Sequence, residues 1–222
     1  MQKEVLLTLR DVSKIYSMGE TKLYALNKVN LEIRKGEFIV VLGPSGSGKS
    51  TLLNIIGATD RPTEGSIVFL NQDLTKASDR VLTLYRRNEV GFIFQFYNLL
   101  PTLTALENVQ VATEIAKAPL DPLETLDIVE LKNYADHFPS QMSGGEQQRV
   151  AIARALASNP SMLLCDEPTG ALDSKTSQKI LDLLVHLCRD LKKNVMLITH
   201  NRELAKLGDR VIELKDGKIV KD

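Results

Sequence analysis

Gly43-Pro44-Ser45-Gly46-Ser47-Gly48-Lys49-Ser50 fits the pattern G-x-x-x-x-G-K-[ST]. Residue types in this order suit one task, the cradling of a chain of phosphates. The glycines let the backbone curl until successive N–H groups face one anion, and a helix starting at the end of the loop adds its partial positive charge. Lys49 can reach the outer phosphates, and the Ser50 hydroxyl can ligate Mg2+. Thr51 closes the candidate set, Gly43 through Thr51, and the implied ligand is a nucleotide. A GTP-binding protein should also carry Asn-Lys-x-Asp after such a loop. The near match Asn27-Lys28-Val29-Asn30 precedes the loop and lacks the aspartate, so that class is excluded.

Met162-Leu163-Leu164-Cys165-Asp166-Glu167-Pro168 is an apolar run that ends in adjacent acids. In parallel sheets the carboxyl ends of the strands carry the chemistry. Asp166 is expected to hold Mg2+ through water, and Glu167 to orient and polarise an attacking water. Ser143-Gly144-Gly145-Glu146 has the Ser-x-x-Glu spacing of a capping box, with Ser143 as N-cap. Glycines beside a helix N-terminus also expose N–H groups to an anion, so the same turn suits a phosphate. With one side of a nucleotide already served by the phosphate loop, a second such turn is most useful to the nucleotide of a partner subunit.

Elements must hold these groups in place. Phe38–Leu42 is a continuous apolar, β-branched run, the pattern of a strand buried on both faces, and helical spacing follows the loop over Thr51–Gly57. Gly91–Phe94, Met162–Cys165 and Val195–Thr199 are further buried-strand candidates, with helical patterns over Gly145–Ser158 and Lys175–Leu191. This alternation predicts an α/β fold, a parallel sheet with helices on both faces. Val5–Leu9 and Tyr24–Ile33 predict short strands with polar breaks between them, a small antiparallel start. Residues 96–141 contain Pro101, Pro119, Pro122 and Pro139 and predict an inserted lobe of short helices. Val211–Val220 predicts a hairpin turning at Asp216-Gly217.

Composition narrows the class. The chain has 222 residues, 43% hydrophobic and 25% charged, enough for a sizeable core. Its 28 basic and 28 acidic residues cancel, which argues against gripping a nucleic-acid backbone. Cys165 and Cys188 lie in apolar stretches and match no metal-ligand spacing, so both are expected as packed thiols. No apolar run approaches the ~18 residues of a membrane span. Met1-Gln2-Lys3-Glu4 leads into a short apolar patch without the features of a secretory leader. A cytoplasmic protein is the expectation.

Met142-Ser143-Gly144-Gly145-Glu146, followed by Gln147-Gln148-Arg149, resembles the ABC signature, usually Leu-Ser-Gly-Gly-Gln. Met142 and Glu146 depart from that form, and Glu keeps the capping box. The other elements of the ABC family stand in order along essentially the whole chain. Tyr16 resembles the aromatic that stacks on adenine; alone, it would read as a packed tyrosine. Gln95 resembles the glutamine that touches Mg2+ and the attacking water and senses the permease. Ala171-Leu172-Asp173 resembles the loop that places an aspartate at the dimer interface. His200 resembles the histidine that contacts the γ-phosphate, while His137 and His186 match nothing.

The resemblance implies a single ABC-type P-loop ATPase domain over residues 1–222. Its mainly parallel core sheet and antiparallel β subdomain would come from 1–95 and 142–222, and its inserted α-helical subdomain from 96–141. It further implies ATP and Mg2+ as ligands, a homodimer closing around two ATP molecules, and a separate membrane permease that holds the protein at the inner face of the membrane. Tyr24-Ala25-Leu26, Asn54-Ile55-Ile56-Gly57, Phe96-Tyr97-Asn98-Leu99-Leu100-Pro101, Leu103-Thr104-Ala105-Leu106-Glu107-Asn108-Val109 and Pro168-Thr169-Gly170-Ala171-Leu172-Asp173-Ser174 are similar to the lipoprotein-release and macrolide-export group. That group includes antimicrobial-peptide-resistance and cell-division relatives. The stretch between Asn108 and Gln141 is shorter than usual there. Phe94, Phe96, Tyr97, Leu99 and Leu100 read equally as a docking surface or as core of the helical lobe. Two further readings stay open: a division-type complex that moves no cargo, and a non-transport ABC ATPase, although the long coiled coil or paired cassettes usual for the latter are missing.

Overall fold

The computed structural model describes residues 4–19 and 21–222; Met1–Lys3, which the sequence sets ahead of the first strand, lie outside them. The chain folds as two compact units, one of Met1–Arg86 with Asn194–Asp222 and the other of Arg87–Lys193.

In the first unit, β1 (Val5–Met18), β2 (Thr21–Arg34), β4 (Glu64–Phe69) and β5 (Gln72–Asp73) form a sheet in the order β2-β1-β4-β5, all antiparallel. Val29, Leu31 and Ile33 of β2 are buried while Asn30 and Glu32 face out, the alternation of a half-covered strand. The short strands expected at Val5–Leu9 and Tyr24–Ile33 are corrected here: β1 and β2 stay paired out to Met18 and Thr21, across the stretch expected to be a break. Bulges carry the pairing through the polar residues, with register shifts between Leu9 and Val12 and again before Ile15. At the first of them Asp11 has φ 48 and its N–H donates to Asn30 Oδ1 at 3.0 Å, while Asn30 Nδ2 donates to Asp11 Oδ1 at 3.0 Å. Side chains thus replace the ladder where the alternation fails. Gly65 lets β4 reach that bulge, since a Cβ there would lie 2.4 Å from the Asp11 carbonyl oxygen.

The same unit holds the strand that feeds the phosphate loop. β3 (Phe38–Leu42) is buried throughout and runs parallel to β8 (Asn194–Thr199) on one side and β9 (Arg210–Lys215) on the other. Its start is pinned by side chains: Asn194 Nδ2 donates to the Arg34 carbonyl at 2.6 Å, Asn194 Oδ1 accepts from Gly36 N–H at 3.0 Å, and Asp209 Oδ2 accepts from Phe38 N–H at 2.9 Å. β9 turns into β10 (Lys218–Lys221) through Asp216 (φ 48) and Gly217 (φ 73). Two consecutive positive φ values make this the hairpin turn that Asp-Gly announces. α1 (Lys49–Ile56) follows the loop, and α2 (Asp79–Glu89) leads to the second unit. α2 escaped the sequence reading because only Leu82 and Tyr85 of it are buried, too sparse a stripe to stand out.

In the second unit, β6 (Val90–Phe94) and β7 (Met162–Asp166) pair in parallel from Val90↔Met162 to Phe94↔Asp166. Between them residues 96–141 form α3 (Ala105–Thr113), α4 (Pro122–Ile128) and short 3-10 turns, without a strand. Thr104 caps α3 in a capping box with Glu107, and Asp121 caps α4 with Pro122 in its first turn. α5 (Gly144–Ala157) is buried on most sides, and it packs so closely on β6 that a Cβ on Gly91 would lie 2.6 Å from the Ala155 carbonyl oxygen. α6 (Ser174–Arg189) completes the unit. Cys165 of β7 and Cys188 of α6 are thiols buried in the core, and burial pushes the Cys165 thiol far above its ordinary range.

Gly217 tests how tightly the hairpin turn is held. A Cβ there would lie 2.9 Å from the Ala25 carbonyl oxygen, and φ 73 is already unfavourable for alanine. Gly217→Ala is expected to destabilise the protein by about 1–3 kcal/mol, read from the urea midpoint; an unchanged midpoint would mean that the turn gives way at little cost.

Candidate functional site

The loop from Gly43 to Gly48 is shaped by close backbone approaches. A Cβ on Gly43 would stand 2.3 Å from the Leu214 carbonyl oxygen, and one on Gly48 would stand 2.2 Å from that of Ala25. Gly46 and Gly48 take φ 76 and 102, values open to glycine and costly to other residues. Ser47 N–H donates to the Pro44 carbonyl at 3.2 Å, closing the turn. The hairpin tip braces it from outside: Gly217 N–H donates to the Ser47 carbonyl at 3.0 Å, and the Gly217 carbonyl accepts from Asn27 N–H at 2.8 Å.

α1 starts from Gly48 with no side-chain cap, the kind of helix start that suits an anion. Lys49 Nζ lies folded onto the loop and donates to the carbonyls of Gly43 at 2.8 Å and Pro44 at 2.9 Å. The buried Ser47 Oγ has no hydrogen-bond partner among the described residues. An uncapped helix start, a cation within the loop and the orphaned Ser47 hydroxyl together fit a phosphate chain. Pro44, Ser45, Gly46 and Ser50 are exposed, and Thr51 is half-buried on the first turn.

The first unit also carries Tyr16 and His200. Tyr16 is exposed on β1, and its hydroxyl donates to Asp60 Oδ2 at 3.0 Å. Lys14 Nζ lies 5.1 Å from the ring centroid and donates to Asp60 Oδ1 at 2.6 Å. Burial opposes the charge on Asp60, but Lys14, the Arg61 amide and Tyr16 outweigh it and hold the carboxyl below its usual range. Burial first, then Asp60, raises the Tyr16 hydroxyl above its own. The ring is therefore held at the edge and open to solvent. His200 stands exposed directly after β8.

The second unit carries the acids. Asp166 ends β7, and Glu167 takes φ 48 just before Pro168. That backbone is unusual for glutamate and doubly so before proline, which disfavours the helical region of its predecessor. Gly170 N–H donates to the Glu167 carbonyl at 3.0 Å and holds the turn. Gln95 follows β6, and the register Phe94↔Asp166 sets Gln95 and Glu167 each one residue beyond the last rung. The Gln95 side chain lies over Gly170, where a Cβ would come within 3.0 Å of its Cδ and Nε2.

Ser143 caps α5 as its sequence announces. Ser143 N–H and Oγ each donate to Glu146 Oε2 at 2.7 Å, and Glu146 N–H donates to Ser143 Oγ at 3.4 Å. The hydrogen bonds from Ser143 hold the Glu146 carboxyl below its usual range. A Cβ on either glycine would collide, standing 2.6 Å from the Tyr97 hydroxyl at Gly144 and 2.2 Å from Thr176 Cγ2 at Gly145. Asp173 caps α6, accepting from the N–H groups of Lys175 and Thr176 at 3.0 Å each, and those bonds lower its pKa.

Two α5 side chains were not legible as functional. Gln148 Nε2 donates to the carbonyls of Phe94 at 3.1 Å and Pro168 at 2.8 Å. Arg154 Nη1 and Nη2 donate to the carbonyls of Asn98 at 2.6 Å and Tyr97 at 3.0 Å. A polar residue on a helix reads as solvent-facing, and no spacing marks these two otherwise. His186 pairs with Asp190 along α6 at 2.6 Å, and His137 contacts the Tyr134 ring and adds to the lowering of the Glu146 pKa.

Residues 26–170 match the family described as ABC transporter. The chain belongs to that family. It is similar to the ABC transporter ATP-binding protein MJ0796 of Methanocaldococcus jannaschii, 49% identical over 98% of this chain and 96% of the relative. It is also similar to the lipoprotein-releasing system ATP-binding protein LolD of Geobacter metallireducens, 45% identical over 98% of this chain and 99% of the relative. Among solved structures, the dimeric post-hydrolysis state of the ATP-binding cassette MJ0796 bound to ADP and Pi is 48% identical. It matches with a TM-score of 0.88 over 97% of each chain. The protein is thus an ATP-binding, ATP-hydrolysing ABC subunit with the expected α/β fold, a parallel core and an antiparallel subdomain. Among the described residues, no helix is long and apolar enough to cross a membrane.

The cap of α5 gives a pH test. Because the folded pKa of Glu146 is depressed, its contribution is present above the ordinary carboxylate pKa and is lost as pH falls through the lowered value. Ser143→Ala should destabilise by about 1 kcal/mol at neutral pH, with the difference shrinking on acidification. Urea unfolding across that range measures it, and a pH-independent difference would deny the coupling.

Proposed function

We propose that two copies of this ABC ATPase close around two MgATP, each nucleotide held between the phosphate loop of one copy and the signature turn of the other. The carrying observation is the N-terminus of α5. The capping box spends the Glu146 N–H on Ser143, while Gly144 and Gly145 add first-turn N–H groups that no intrahelical acceptor can reach. This second anion site of the phosphate-loop type is most useful facing another copy. The MJ0796 cassette is described as a dimer with ADP and Pi, which supports the reading.

We assign Gly43–Thr51 to the phosphates, Tyr16 to stacking on adenine, and His200 to the γ-phosphate. Ser143, Gly144, Gly145 and Glu146 serve the partner's nucleotide, and Asp173 lies at the dimer interface. Ser50, Asp166 and Gln95 supply hydroxyl, carboxylate and amide oxygens, the hard donors that suit Mg2+. The ion, when bound, neutralises charge that develops on the phosphates. Glu167 orients the attacking water and accepts its proton. Its φ of 48 stores roughly 1–3 kcal/mol of strain, retained because it aims the carboxylate.

The motor then drives a separate permease from the cytoplasmic face of the membrane and binds no nucleic acid. Residues 96–141 act as its helical subdomain between core segments 1–95 and 142–222. Phe96, 72% exposed, offers an aromatic contact to the permease. Similarity to LolD favours a lipoprotein-release type of system. A division-type complex, with the same motor and no cargo, is the second reading.

Lys49→Ala is expected to lose ATP binding at concentrations that saturate the parent, measured by equilibrium dialysis. Glu167→Gln should bind ATP normally, lose about 10²–10⁴-fold in turnover and elute as a dimer in MgATP. Parental turnover would remove Glu167 from its role, and a monomer in ATP would overturn the paired arrangement. Tagged Glu167→Gln recovered from native membranes with ATP should bring a permease with it, and recovery with soluble proteins or nucleic acid alone would overturn the motor reading.

A further inference from the structure

Parallel strands β6 and β7 stop pairing at Phe94↔Asp166, and the groups assigned to hydrolysis lie just beyond, on Gln95 and Glu167. Something other than the ladder must hold these two segments in register. Gln148 reaches both. It is 0% exposed, and its Nε2 donates to the Phe94 carbonyl, one residue before Gln95, and to the Pro168 carbonyl, one residue after Glu167. Both hydrogens of the amide are thereby used.

We propose that Gln148 is a positioning residue for hydrolysis: its amide replaces the missing ladder rung and fixes Gln95 and Glu167 against each other, without touching nucleotide. This rests on the roles proposed above for those two residues. The orientation of the amide follows from chemistry, because reversing it would set its oxygen against two carbonyl oxygens. In the orientation present, Oε1 is buried with no partner among the described residues. A buried orphan acceptor opposes folding, and an apolar side chain of the same size would avoid it. The amide is kept for its donors.

The strained Glu167 makes the demand specific. An unusual φ persists only when its surroundings over-determine it. Here Gly170 N–H holds the Glu167 carbonyl and Gln148 holds the next one along. Gln148 also stands on α5, just over one turn from the signature turn. The clamp on Gln95 and Glu167 and the signature turn thus share one helix.

The test uses the full chain and MgATP. Gln148→Met keeps the volume and removes the donors. Its kcat should fall roughly tenfold to a hundredfold, with KM and ATP affinity by dialysis within about twofold of the parent. In Gln148→Glu the introduced carboxyl donates one hydrogen bond when protonated and repels both carbonyls when ionised. Its kcat relative to the parent should therefore rise as pH falls while ATP affinity and the urea midpoint keep step with the parent, a combination that a purely structural role would not give. Parental kcat in Gln148→Met, or an equal loss of ATP affinity and kcat, overturns the proposal, as does a Gln148→Glu profile parallel to the parent. If Gln148→Met does not fold, the Gln148→Glu profile decides alone. Glu167→Gln run alongside separates the two readings: if it is inactive while Gln148→Met is normal, only the positioning role fails; if it hydrolyses ATP, both fail.

Discussion

At Gly43 and Gly48 there is no room for a side chain, because the carbonyls of Leu214 and Ala25 stand where a Cβ would go. These contacts come from β9 and β2, far from the loop in sequence, and they wedge it between two pieces of backbone. The hairpin tip at Gly217 adds a hydrogen bond to the Ser47 carbonyl. A loop that must point its N–H groups at one anion has only a narrow set of conformations, and here rigid neighbours choose among them. β9, which pairs with β3, thereby brings the Leu214 carbonyl onto the loop that β3 feeds. Preorganised donors cost no rearrangement when the charge arrives.

Helix starts show a division of labour. α3, α4, α5 and α6 begin with Thr104, Asp121, Ser143 and Asp173, each accepting from its own first turn. α1 begins at Gly48 without such a side chain. A cap and a phosphate compete for the same N–H groups, so the uncapped helix trades stability when empty for affinity. α5 is capped too, its serine taking the amide of Glu146 at the third position of the first turn, ahead of two glycines that pack against Tyr97 and Thr176.

The fold was legible where physics is local. Phe38–Leu42, Met162–Cys165 and Val195–Thr199 read as buried strands, Asp216-Gly217 as a hairpin and Ser143 with Glu146 as a cap; Gly91–Phe94 reads as a strand too, but its end is not buried, since Phe94 is exposed. The stretch from Arg10 to Leu23 did not, because bulges there let strand pairing continue without alternation. β4 contributes only Ile67-Val68-Phe69 as an apolar run, too short to register. Motif positions were readable because glycine, lysine and paired acids are scarce in that order. The Gln148 and Arg154 clamps were not, since what distinguishes them is burial against backbone carbonyls distant in sequence.

Both cysteines lie sealed in the core, and the Cys165 thiol resists ionisation as well. Thiol reagents attack the accessible thiolate, so the native protein is in practice silent to them. A single cysteine placed on an exposed position would then be the one group that a spin label or fluorophore finds. Distances between and within subunits could be followed by spectroscopy in the unaltered background, without first stripping out residues that pack β7 and α6.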